Sequence, residues 1–149
     1  MGDEKRDVIE VLKHDHREVE EMFDDLAATT DADERRRITD DVTIELVRHS
    51  IAEEIYLYPA VREIVPDGDQ IADREIGEHA EVERILKELE RLDAAHESFN
   101  TLVNRLIENV SAHVEDEEGN LFPKLAEHAD ADQLMKLGDK VQSAKRVAP

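Results

Sequence analysis

His49 and Glu53 stand four residues apart in the run His49-Ser50-Ile51-Ala52-Glu53-Glu54-Ile55-Tyr56-Leu57-Tyr58-Pro59. The pattern H-x-x-x-E-E-x-x-L-aromatic-P returns 64 positions later, with His113, Glu117, Glu118, Leu121, Phe122 and Pro123 at the matched places. A shorter pair precedes each copy: His16-Arg17-Glu18-Val19-Glu20 returns 63 positions on as His79-Ala80-Glu81-Val82-Glu83. Imidazole and carboxylate are metal-ligand types. In an α-helix, residues four apart stack on one face about 6 Å apart along the axis, so each H-x-x-x-E unit aims a nitrogen and an oxygen at one place. Two copies at a near-constant offset imply two related helical hairpins facing each other across a site for two metals.

Counting ligands sharpens this expectation. His16, His49, His79 and His113 supply two imidazoles per ion, and Glu53 and Glu117 can bridge both. Such a mixed set suits iron or manganese, with zinc a poorer fit. A bridging oxo, hydroxo or water ligand would complete each ion to about five, leaving a position for a small exogenous ligand.

Four amphipathic helices must position these groups. Their inward seams run through Ile9, Leu12, His16, Val19, Phe23 and Leu26; Ile38, Val42, Leu46, His49, Glu53, Tyr56 and Ala60; Ile71, Glu75, His79, Val82, Leu86 and Leu89; and Phe99, Val103, Leu106, Val110, His113, Glu117 and Leu121. All six candidate ligands occupy positions that the period reserves for apolar side chains. Burying two unpaired carboxylates there would cost several kcal/mol each, so the pattern calls for a compensating cation or a closed hydrogen-bonded network.

Thr29 to Asp33, Pro66-Asp67-Gly68-Asp69 and the softer break from Leu92 to Glu97 separate the seams, and Asp130 opens a fifth segment. Short connections make neighbours antiparallel. The expected fold is all-α: an up-down-up-down four-helix bundle over about residues 5–128, with a short C-terminal fifth helix over about 131–147, in one domain spanning 1–149. Pro59 and Pro123 should bend their helices just beyond the ligand-bearing turns.

Composition narrows the function classes. The formal charge is −20, and the one short basic run is Arg35-Arg36-Arg37, which argues against nucleic acid and anionic membranes as partners. With no cysteine, thiolate zinc sites, disulfides and cysteine-held clusters are excluded. The start lacks a cationic-then-apolar leader pattern and no long apolar run occurs, which points to a cytoplasmic protein. Nothing in the pattern fixes an oligomeric state.

The full arrangement (one His, H-x-x-x-E, one His, then H-x-x-x-E followed by Leu-Phe-Pro) resembles the hemerythrin-like or HHE cation-binding family over about residues 7–128. The resemblance implies a non-haem di-iron centre meeting dioxygen, nitric oxide or peroxide. Oxygen-carrying hemerythrins differ in two respects. They have a further histidine where this chain has Glu75, and their last carboxylate follows its histidine by five positions, whereas Glu117 follows His113 by four. The chain looks closer to bacterial relatives with four histidines and two glutamates, some associated with peroxide decomposition or iron sensing.

Several single residues carry open alternatives. Glu75, four before His79, is a candidate seventh ligand, an acid–base group, or a carboxylate hydrogen-bonded to a ligand histidine. Tyr56 lies seven after His49 and should face the site as a ligand or as a hydrogen-bond donor; some relatives have a metal-bound tyrosine from this helix. Glu54 and Glu118 should be solvated or stand behind the ligands, and His14, His96 and His128 should lie outside the site. Three functions follow: a di-iron protein binding a diatomic or peroxide ligand, a catalase- or peroxidase-like enzyme assisted by Glu75 or Tyr56, and an iron or oxygen sensor ordered by its metal.

Overall fold

In the computed structural model, which describes residues 6–147, the chain forms seven α-helices and two π turns. Helix α1 (Val8–Ala27) descends and α2 (Ala32–Ala52) returns. A π turn (Glu53–Leu57) and the short α3 (Tyr58–Ile64) continue the line of α2. The second hairpin repeats this plan with α4 (Gly68–Arg91), α5 (Glu97–Asp116), a π turn (Glu117–Leu121) and α6 (Phe122–His128). Helix α7 (Ala131–Val147) then packs on α1 and on the first π turn. The fold is the expected all-α bundle with a fifth, C-terminal helix. The expected bundle start at residue 5 lies outside the described residues.

Local chemistry sets the helix ends. Asp7 accepts from the Glu10 amide while the Glu10 carboxylate accepts from the Asp7 amide, a reciprocal cap at the start of α1. Asp31 caps α2, and Asp130 and Gln133 cap α7 in the same reciprocal way. The basic run has an internal use. Arg35 donates to the carbonyls of Leu26 in the last turn of α1 and of Thr29 just beyond it, and Arg36 donates to those of Leu89 and Leu92 at the end of α4 while its guanidinium lies 5.4 Å from the Phe99 ring centroid.

Both π turns precede a proline. Pro59 cannot donate to the Ile55 carbonyl and its ring crowds it, and the chain widens so that the Tyr58 amide reaches back to the Glu53 carbonyl. Phe122 and Glu117 repeat the arrangement before Pro123. The expected bends are therefore wide turns that begin at the glutamates themselves.

Two apolar clusters divide the interior. One holds Phe23, Leu26, Val42, Leu86, Phe99 and Leu106 near the α1–α2 and α4–α5 connections. The other holds Val8, Leu12, Leu57, Val61, Leu125 and, from α7, Leu137 and Val141. A buried polar layer lies between them.

Candidate metal centre

That layer consists of the six expected side chains. His16 comes from α1, His49 from α2, His79 from α4 and His113 from α5, while Glu53 and Glu117 open the two π turns. The histidines are 4–7% exposed and both glutamates 0%. They form two groups that share the carboxylates: His16, His49, Glu53 and Glu117, and His79, His113, Glu53 and Glu117. Each glutamate turns one oxygen toward each group. Glu53 Oε2 lies 3.2 Å from His49 Nε2 and Glu53 Oε1 lies 3.0 Å from His79 Nε2. Glu117 Oε1 lies 3.1 Å from His16 Nε2 and Glu117 Oε2 lies 3.2 Å from His113 Nε2.

Each imidazole is held from behind. Nδ1 of His16 lies 2.6 Å from Glu118, that of His49 3.1 Å from Asp15, that of His79 2.8 Å from Glu54 and that of His113 2.7 Å from Glu78. A carboxylate only accepts, so Nδ1 donates to it in each case, and Nε2 faces inward, where it can give its lone pair to a cation once its own proton is displaced. Glu54 and Glu118 each reach across to the lone histidine of the other hairpin. Asp15 and Glu78 immediately precede the lone histidines and support those of the H-x-x-x-E units. Lys145 of α7 in turn donates to Asp15.

The extra residue in the first π turn changes which tyrosine enters the site. Regular α-helical phase would bring Tyr56 inward, but widening the turn advances the inward position, and Tyr58 takes it. Tyr56 instead is half-buried against the α7 side, in a groove with Pro59, Leu137 and Lys140. The Tyr58 hydroxyl is buried within 3.1 Å of Glu53 Oε1, 3.1 Å of His79 Nε2 and 2.9 Å of Glu117 Oε2. Its repeat partner Phe122 stacks on His16 at 6.0 Å between ring centroids. One half of the layer thus ends in a phenol and the other in a hydrocarbon ring.

Glu75 is fully buried, 2.9 Å from the outer Nδ1 of His113. It belongs to neither four-residue group and instead joins Glu78 on the far side of that ring. The matched residue of the first repeat is Leu12, also fully buried. His14 pairs with Glu18 on the surface, His96 caps α5 by accepting from the Ser98 amide, and His128 is exposed. Sequence reasoning missed Asp15, Glu78 and Tyr58. The one signal for the first two was an acid placed directly before each lone histidine.

Electrostatics follow from burial and pairing. Burial pushes the His49 imidazole down, but the Glu53 carboxylate outweighs it and raises the pKa to about 10. Burial likewise opposes the charged form of His113, and Glu117 and Glu53 turn the balance upward. Burial raises Glu53, but His49 and His113 drag it well below the ordinary carboxylate range. Burial lifts Glu75 to about 8, with His113 opposing. Burial also lifts the Tyr58 phenol, with Glu53 and Glu117 adding to it.

The fit to a cation rests on atoms that have only one another for company. Nε2 of His16 and His49, Glu53 Oε2 and Glu117 Oε1 are all buried, face one another at 3.1–3.2 Å in two pairs, and find no hydrogen-bond partner outside the cluster. Buried polar atoms are almost always satisfied. These four are the ligand atoms of one group, and all are of types that hold a divalent ion.

Known proteins resemble the chain in sequence and in fold. The chain is 24% identical over 143 residues to an uncharacterised hemerythrin-like protein of Schizosaccharomyces pombe, covering 95% of this chain and 70% of that one. It is 27% identical over 147 residues to a DNA nickase of Nostoc, covering 97% of this chain and 41% of that one, so it spans less than half of that relative's length. In fold it is similar to the crystal structure of a hemerythrin HHE cation binding domain-containing protein from Mycobacterium kansasii, with a TM-score of 0.83 at 24% identity over 95% of this chain and 86% of that one. The family model for the hemerythrin HHE cation binding domain matches residues 7–125. The chain belongs to the hemerythrin HHE cation-binding family.

Proposed function

We propose that residues 1–149 act as one domain that holds two iron ions and binds a small oxidant or diatomic molecule, dioxygen, nitric oxide or peroxide, in oxygen or oxidative-stress handling. The single observation that carries this reading is the division of Glu53 and Glu117, each presenting one oxygen to each histidine pair. In this reading His16 and His49 would hold one ion and His79 and His113 the other, with Glu53 and Glu117 shared between the two groups. Manganese or zinc are poorer candidates for the same donors. When bound, a two-iron centre supplies a redox-active Lewis acid that accepts a small oxygen- or nitrogen-containing ligand.

The protein's own groups define what surrounds that ligand. The four carboxylates on the outer nitrogens fix each imidazole with Nε2 inward. Leu46, Val82 and Val110 keep bulk water from one side, and Phe122 from another.

A second reading is an enzyme that decomposes peroxide. The Tyr58 hydroxyl and Glu75 favour it, because both lie against the His79–His113 half and give it groups able to hold or pass a proton. Mixing iron-loaded protein with hydrogen peroxide separates the two. Slow, stoichiometric bleaching without oxygen release supports the binder, and sustained oxygen evolution well above that of free iron supports the enzyme. Failure of the chain to take up iron would defeat both.

The nicking activity named for the Nostoc relative stays with that longer protein. A formal charge of −20, with Arg35 and Arg36 engaged at helix ends, argues against nucleic acid as a partner. Among the described residues no helix is long and apolar enough to cross a membrane, and we assign the cytoplasm as the site of action.

A further inference from the structure

Among the described residues, the large aliphatic side chains left exposed are Ile44, Val47, Ile51 and Ile55. All four lie on α2 and the π turn that continues it, spaced three and four apart, which makes one continuous apolar stripe. The internal repeat indicates that the bundle does not require it. At the matched positions 64 residues on stand Glu108, Ser111, Glu115 and Gly119.

The stripe borders a groove of about 210 Å³ between α2 and α4. Val47 and Ile51 line its mouth, Leu46, Ser50 and Val82 its depth, and it reaches His79. Leu46, Ser50, Val82 and His79 also wall an interior cavity of about 30 Å³ that touches all four histidines. A water needs about 10–15 Å³ on this measure, so the cavity has room for one diatomic molecule. The two spaces thus lie next to each other, with these four residues lining both.

At the matched place, between α1 and α5, an ion pair crosses from one helix to the turn that continues the other. There the Arg17 guanidinium donates to Glu118 Oε2 at 2.6 Å, and the same oxygen holds His16 Nδ1. The residue matched to Arg17 is Ala80, so Glu54, which holds His79, has no such arginine pair and is 41% exposed against 21% for Glu118. Of the two matched sides, the one between α2 and α4 lacks this ion pair and carries the apolar stripe.

We infer that the groove between α2 and α4 is the route by which a small neutral diatomic gas reaches the centre, arriving beside His79. The inference rests on the two-ion reading above and narrows its ligand class. Glu54 and Glu83 at the groove, together with the strongly negative surface, repel anions. The aliphatic walls offer hydrogen peroxide little in exchange for the water it must shed, whereas dioxygen and nitric oxide shed almost none.

Two substitutions at this groove and one at its counterpart test the route. Ala80→Arg builds the matching ion pair to Glu54 from an exposed position, and Ser50→Phe plugs the groove. Ser111→Phe places the same bulk on the matched polar face. Each protein is loaded with iron anaerobically, its iron content and optical spectrum are checked, and nitric oxide association is followed by stopped flow. Ala80→Arg and Ser50→Phe should each slow association by about tenfold or more with iron content unchanged, and Ser111→Phe should match the unaltered chain. Full iron loading with unchanged rates in both groove variants would overturn the route alone. An unaltered chain that binds no iron would overturn the two-ion reading and the route with it. Crystals of the metal-free protein under xenon pressure give an independent readout: xenon should occupy the groove between Ile51 and Val82, and xenon found only elsewhere would overturn the route.

Discussion

Six side chains form the layer, and a further set sets their aim. Tyr58 is the clearest case, because its hydroxyl is the buried donor between Glu53, Glu117 and His79. Tyr58→Phe leaves those acceptors short of a donor and should destabilise the metal-free protein by about 1–3 kcal/mol in a denaturant melt. Tyr56→Phe, outside the layer, should stay within about 0.5 kcal/mol. The six inner residues were legible because a polar side chain at an apolar position of a helix seam stands out. Asp15 and Glu78 were not, since an acid beside a histidine has no contrast in a chain with 39 acidic residues. Glu75 was legible as a buried group, but its side of the His113 ring depends on the rotation between α4 and α5, which periodicity does not fix.

At the scale of elements, the helices, their order and their connections followed from seam period and turn chemistry. The π turns did not. Pro59 and Pro123 announced a disturbance, yet whether a helix kinks or widens depends on what the freed carbonyls meet, and the widening moved the inward tyrosine by two places. Helix α7 had a legible cap, but not its docking. It crosses the start of α1 at Gly138, where an added Cβ would come within 2.1 Å of the Arg6 carbonyl oxygen. Gly138→Ala should therefore push the helices apart and cost about 1–3 kcal/mol, read as a lower melting temperature. Gly77, inside α4 with nothing near its Cβ direction, gives the opposite sign: Gly77→Ala should stabilise by about 0.5–1 kcal/mol through helix propensity. Because α7 also brings Lys145 to Asp15, loosening it should reach His49 as well.

For the whole molecule, two apolar clusters enclose one charged layer, and the layer's protons make stability depend on pH. Glu75 is raised from 4.5 to about 8 and His49 from 6.5 to about 10 in the folded metal-free protein. A raised folded pKa gives stability that is complete below the unfolded value and lost as pH climbs through the folded one. The melting temperature of the metal-free protein should fall between pH 7 and pH 10, first through Glu75 and then through His49. Iron-loaded protein should fall less, because the ion has already displaced the proton from His49 Nε2 and binding energy adds to folding energy. Parallel thermal melts check this, and equal slopes for the two forms would contradict it. The central claim is tested most directly by anomalous diffraction at the iron edge from crystals of the iron-loaded protein. Two peaks about 3.5–4 Å apart, between Glu53 and Glu117 with one histidine pair on each, are expected. A single peak, or iron bound anywhere else on the chain, would contradict it.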